Sequence, residues 1–232
     1  MTLLKSRFDQ VFDRIHKAEQ LSQRQGQVQL LAVSKTRPAE MIREAYTLGQ
    51  RHFGENYLQE ALTKIQDLAE LTDISWHFIG PIQSNKTRDI ATHFHWVHSV
   101  DRLKIARRLS EQRPDDLPPL NICLQVNISQ EESKSGATLE QLPQLVKEVT
   151  ELPNIKLRGL MVIPAPSDDP DHQRQPFAEL AESLKTLNSE HQLDMDTLSM
   201  GMTDDLEAAI AEGSTMVRIG TALFGSRDYS NR

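Results

Sequence analysis

Lys35 stands where a lysine needs a reason. It follows the apolar run Leu30-Leu31-Ala32-Val33 and Ser34, and Thr36-Arg37-Pro38 comes next, which places it at the carboxyl end of a short interior strand. An ammonium at the edge of an apolar core loses hydration, and that lowers its pKa and frees the amine as a nucleophile. The bland alternative is a lysine whose stem snorkels to solvent. Ser199-Met200-Gly201-Met202-Thr203 and Gly220-Thr221 offer hydroxyls, and glycines that let backbone amides approach an anion. As plain turns, the same glycines only redirect the chain, and Asp204 with Glu207 makes a capping box. Arg218, set among Met216, Val217 and Ile219, cannot lose its proton and needs an acceptor, either a pyridine nitrogen or a carboxylate such as Glu55. A lysine able to form a Schiff base, an anion cradle and an arginine aimed at a ring nitrogen together describe a pyridoxal 5′-phosphate (PLP) site.

Such groups act together only if the fold gathers them. Val28 to Ser34 reads as a first strand, and further strands follow near Arg51 to Phe53, Ile74 to Ile79, Trp96 to Ser99 and Ile122 to Ile128. Lys156 to Ile163, Thr197 to Ser199 and Met216 to Ile219 complete eight. Helical segments alternate with them: one opens at Pro38, one runs from Leu58 to Leu68, one starts at about Asn85, and one is capped by Asp101. Leu139 to Val149, Phe177 to His191 and Asp204 to Glu212 are the rest, with Pro164 to Pro176 as a surface loop. Residues 1–25 carry Leu4, Phe8, Val11, Phe12 and Ile15 at helical spacing. The strict alternation predicts an α/β fold, a single-domain (β/α)8 TIM-type barrel over residues 1–232 with an extra N-terminal helix packed on it. An open doubly wound sheet is the runner-up, but the turn after the first strand lacks a glycine. In a barrel the strand ends meet at one mouth. They supply Lys35, Asn56, His77, Ser99, Asn127, Met161, Ser199 and Arg218, with Gly220 and Thr221 beyond, and phosphate sites follow strands seven and eight.

Composition narrows the function. A formal charge of −7 and a pI near 5.6 argue against nucleic acid or an anionic membrane as partner. No stretch approaches the roughly 20 apolar residues of a membrane span. The acids Asp9, Asp13 and Glu19 in the first helix do not suit a targeting peptide. Cys123 is the one cysteine, which fits a reducing cytoplasm and excludes an internal disulfide or thiolate metal site. His93, His95 and His98 lie around a strand start, where only alternate residues share a face, so no metal site is expected there. Asp115-Asp116 and Asp168-Asp169 read as solvated loop acids. Met200, Met202 and Met216 read as packing, although Met200 belongs to the seventh loop and counts among the cofactor-contacting positions.

Six separated blocks resemble one family. They are Leu31-Ala32-Val33-Ser34-Lys35-Thr36; His52-Phe53-Gly54-Glu55-Asn56-Tyr57; Trp76-His77-Phe78-Ile79-Gly80 with Gln83-Ser84-Asn85-Lys86; Ser133-Lys134-Ser135-Gly136; Gly159-Leu160-Met161; and Ser199-Met200-Gly201-Met202 through Val217-Arg218-Ile219-Gly220-Thr221. In this order, from about Val28 to Tyr229, they resemble the pyridoxal phosphate homeostasis proteins, the YggS/PROSC family. The resemblance implies a barrel of the alanine racemase amino-terminal type with PLP as an internal aldimine on Lys35. It also implies phosphate against Ser199, Gly220 and Thr221, Arg218 facing the pyridine nitrogen, and Asn56, His77 and Met161 lining the pocket. Lys134 matches a second family lysine that contacts or receives cofactor, and an exposed loop lysine is the plain alternative.

Two function classes follow. One is a monomeric cytoplasmic carrier in PLP (vitamin B6) homeostasis that buffers cofactor or delivers it to PLP-dependent apoenzymes, without established catalysis. The other is a small racemase-like PLP enzyme, which would need a base on each face of the α-carbon; the chain is expected to lack the second domain that supplies one in two-domain racemases. A third possibility is a barrel that binds another phosphorylated metabolite without covalent attachment.

Overall fold

The computed structural model describes residues 2–128 and 135–226. Among them, eight parallel strands close into a barrel in chain order: β1 (Gln29–Val33), β2 (His52–Glu55), β3 (Ser75–Phe78), β4 (Trp96–Val100), β5 (Leu120–Val126), β6 (Ile155–Val162), β7 (Thr197–Ser199) and β8 (Met216–Ile219). Closure runs through β8 onto β1, where Leu31 is in register with Arg218 and Ala32 with Ile219. The expected (β/α)8 architecture is therefore present, and the open sheet is not.

Helix α1 (Leu3–Leu21) precedes the barrel. Helices α2 (Ala39–Thr47), α3 (Leu58–Asp67), α4 (Thr87–His93), α5 (Leu103–Gln112), α6 (Leu142–Thr150), α7 (Pro170–His191) and α8 (Leu206–Ala211) follow successive strands, and a short α9 (Thr221–Phe224) follows β8. Leu4, Phe8, Val11 and Ile15 form the buried stripe of α1, as their spacing predicts. Phe8 meets Phe224 edge to face with centroids 6.3 Å apart, and Arg14 clasps Glu207 at 2.7 and 2.8 Å. The extra helix is thus seated over α8 and α9, behind the seventh and eighth strands.

Side chains alternate along each strand. Leu30, Ala32, Phe53, Val97, Leu160, Val162, Leu198, Val217 and Ile219 join the apolar layer between barrel and helices. Their neighbours point inward, and this inner layer holds a polar chain beside Leu31, Cys123 and Met161: His52, His77, His98, Ser199 and Arg218 are linked by hydrogen bonds across the barrel.

Several local expectations are corrected. The loop after β6 ends sooner than expected, because α7 starts at Pro170: Asp169 caps it by accepting from the amides of Asp171 and His172, and Pro176 is carried inside the helix. Asp101 is no cap; α5 opens after Arg102, and Asp101 pairs with that arginine instead. The capping box at Asp204 and Glu207 does not form, since the cap position is Asp205 and Glu207 is drawn to Arg14.

Candidate functional site

Lys35 lies in the turn directly after β1. The amide of Arg37 donates to the Ser34 carbonyl at 3.0 Å, and Thr36 takes the positive φ of 63° that the tight turn demands. The turn is gripped from behind. Lys64 on α3 donates from Nζ to the Ser34 carbonyl at 2.8 Å and to Glu55 Oε1 at 2.8 Å, while Ser34 Oγ donates to the same carboxylate at 2.6 Å. Glu60 Oε1 accepts from Nζ at 2.5 Å and from the Thr36 amide at 2.5 Å. Burial pushes the Glu55 carboxyl up, against the pull of Lys64. From the other side, Arg37 Nη2 donates to the carbonyls of Gly225 at 2.6 Å and Ser226 at 3.0 Å. Glu55 therefore belongs to this clamp and is not the partner of Arg218.

The eighth loop touches the same place. A side chain at Gly220 would begin 3.4 Å from the Val33 carbonyl oxygen, so the Gly220-Thr221 step lies against the residue two before Lys35. Thr221 opens α9, and the first amides of a helix have no acceptor within it. The seventh loop turns at Gly201, whose φ is 98° and whose carbonyl accepts from the Arg218 amide at 2.9 Å.

Arg218 is 4% exposed and points into the barrel. Nη1 donates to Ser199 Oγ at 2.9 Å and Nη2 to the Val162 carbonyl at 2.9 Å. Among the described residues it forms no ion pair, and burial lowers its pKa to about 10. It is a cation held by two neutral acceptors, with further N–H donors in its fork.

A cavity of about 300 Å³ opens at the carboxyl ends of β2, β3, β5 and β6, lined by Asn56, Ile79, Gln125, Asn127, Ser135 and Ile163 among others. The Oδ1 atom of Asn56 is buried without a hydrogen-bond partner, an acceptor available to a ligand. Gly80 presses against it: a side chain there would begin 2.1 Å from the Asn56 carbonyl oxygen. Gly136, with a φ of 133°, lets the chain at Ser135 lie against the end of β5, where Gln125 Nε2 donates to the Ser135 carbonyl at 3.2 Å.

The expected site residues fall into two levels. Lys35, Asn56, Gly220 and Thr221 are at the mouth. Met161, fully buried, is flanked in register by Gln125 and Ser199 just beneath it. His77 lies deeper than expected, because it is two residues before the cavity residue Ile79 and is bonded within the barrel to His52 and His98. Ser199 is fully buried, and its hydroxyl meets Arg218 Nη1 at 2.9 Å and His98 Nδ1 at 2.7 Å. The Met200 side chain packs in the outer apolar layer, facing away from the mouth. Lys134 lies outside the described residues. Sequence reasoning missed the Lys64–Glu60 grip, whose only local signal is an i,i+4 acid–base pair. It also missed Gln125 and Ile163, which belong to the inward face of their strands.

The model of the family "Alanine racemase, N-terminal domain" matches residues 9–228 of this barrel. A pyridoxal phosphate homeostasis protein of Pseudomonas aeruginosa is 61% identical over 230 residues, covering 99% of this chain and 98% of the relative. Its counterpart from Escherichia coli K12 is 55% identical over 208 residues, covering 89% and 88%. Among solved structures, PipY of Synechococcus elongatus PCC7942 with PLP bound superposes with a TM-score of 0.81 at 39% identity, covering 91% of this chain and all of PipY. The chain belongs to the family of pyridoxal phosphate homeostasis proteins.

Proposed function

We propose that this protein binds PLP, attached through a Schiff base to Lys35, and serves as a monomeric carrier in cytoplasmic vitamin B6 homeostasis that buffers the cofactor or delivers it to PLP-dependent apoenzymes. The observation that carries this reading is Arg218, a buried guanidinium that forms no ion pair among the described residues, fixed on the strand beside the one that leads to Lys35. The residues fit the cofactor's three handles: an amine for the aldehyde, an arginine for the ring nitrogen, and the Gly220-Thr221 amides for the phosphate. Asn56 offers a further polar contact.

When bound, PLP supplies an electrophilic carbon and an electron-withdrawing ring. An arginine facing the ring nitrogen leaves that nitrogen unprotonated and weakens the ring as an electron sink, which favours carriage over catalysis. Among its described residues the mouth cavity is lined by amides, a serine, a proline and aliphatic side chains, none able to act as a second base.

Titrating the purified protein with PLP and with pyridoxal, which lacks the phosphate, tests this. The protein should turn yellow with PLP and bind pyridoxal far more weakly. Robust, specific turnover of an amino acid that disappears in Lys35→Ala would establish the racemase-like enzyme instead.

A further inference from the structure

We propose that His98, His77 and His52 form a one-way hydrogen-bond chain, headed by Arg218 through Ser199, that positions the guanidinium from behind. The inference rests on the reading that Arg218 faces the cofactor ring. The chain crosses the barrel interior without a break: Arg218 Nη1 to Ser199 Oγ at 2.9 Å, Ser199 Oγ to His98 Nδ1 at 2.7 Å, His98 Nε2 to His77 Nδ1 at 2.9 Å, and His77 Nε2 to His52 Nδ1 at 3.0 Å.

Its direction follows from the chemistry of the first member. A guanidinium only donates, so Ser199 Oγ accepts from Arg218 and its own proton goes to its other partner, His98 Nδ1. His98 is fully buried, and burial with the nearby Arg218 charge drops its pKa to about 3, so the ring is neutral and carries its proton on Nε2. That proton is donated to His77 Nδ1. His77, neutral for the same reason of burial, donates in turn from Nε2 to His52 Nδ1. Ser75 Oγ, 3.3 Å from His77 Nε2, can share that last proton, and Trp96 stacks on His77 with rings 5.4 Å apart and 10° from parallel.

Every link thus turns its acceptor end toward the cation. Among the described residues no carboxylate pairs directly with Arg218, and Asp205 acts on it only through space, so aligned neutral dipoles hold the cation and leave its fork open to a ligand. The three histidines are positioning residues. They touch one another, Ser199 and the barrel wall, and they act on the mouth through Arg218.

The test is ¹⁵N imidazole NMR of the cofactor-free protein, which reads the protonated nitrogen of each ring. The expected result is the Nε2–H tautomer at His98, His77 and His52, with the single tautomer at His98 lost in Ser199→Ala. A protonated Nδ1 at His98 in the unaltered protein overturns the proposal, and so does an unchanged pattern in a folded Ser199→Ala. As a second readout, His98→Phe should weaken PLP binding about tenfold, the worth of one hydrogen bond in a chain to a charged group, with attachment still at Lys35. Unchanged affinity and an unchanged bound-cofactor spectrum in that variant count against the chain. Failure of the unaltered protein to bind PLP would instead remove the function proposed above, whatever the tautomers.

Discussion

Lys64 Nζ donates to the carbonyl of Ser34 at 2.8 Å, and Ser34 is the residue immediately before Lys35. The ammonium that holds the turn is itself held by Glu55 and Glu60. One lysine is therefore spent in fixing where another is presented. Lys64→Met leaves Glu55 buried without its cation, and loss of one partner of a buried pair costs about 3–5 kcal/mol. Urea denaturation should show that loss, and the double variant Lys64→Met/Glu55→Gln should recover part of it. Equal stabilities of the single variant and the unaltered protein would refute the clamp.

The buried histidines make stability depend on pH in a defined sense. His98 has its pKa lowered from 6.5 to about 3 in the folded protein, so the unfolded chain takes up a proton first as pH falls. Its contribution is complete above pH 6.5, declines below it, and is exhausted near pH 3. The loss from this residue alone is about 2 kcal/mol at pH 5, at 1.36 kcal/mol per pH unit. Chemical denaturation at pH 7.5 and pH 5 should show a drop at least this large, and one smaller by about the His98 share in His98→Phe, where His77 and His52 still contribute.

Gly80 and Asn56 approach so closely that even a methyl group has no room between them. Gly80→Ala would place a Cβ 2.1 Å from the Asn56 carbonyl oxygen, backbone against backbone. Overpacking of this kind costs about 1–3 kcal/mol. The shift would also move Asn56, so PLP affinity should fall together with thermal stability; a variant that keeps both would show that the mouth tolerates a displaced Asn56.

Cys123 is fully buried in β5, and burial pushes its thiol up to about 12. The thiolate is the reactive form, so the native protein should resist alkylation by iodoacetamide at pH 8 and react promptly in denaturant. Fast labelling of the folded protein would contradict the packing of the barrel interior.

The barrel was legible because its strands announce themselves. Met216 to Ile219 is read from sequence with the bounds that the structure gives, and Lys35, Gly220 and Thr221 follow from where strands end. The start of α7 was hidden by Pro176, a residue that argues for a loop unless the Asp169 cap and Pro170 are weighed against it. Ser199 and His77 are read from sequence as strand-end residues, and their burial inside the barrel is not part of that reading. The signal was present in their neighbours: Leu198 and Met200, or Trp76 and Phe78, are large apolar residues that face the helices, so the polar residue between them must face the interior. What no local pattern carries is the contact between Lys64 and Ser34, thirty residues apart and joined only by the fold.

The central claim is chemical attachment at one amine. Incubating the protein with PLP, reducing with borohydride, digesting and locating the adduct by mass spectrometry measures it directly. The account predicts a reduced pyridoxal phosphate adduct on Lys35, absent in Lys35→Ala. An unmodified Lys35, with adduct only on Lys134 or on other lysines, would contradict it.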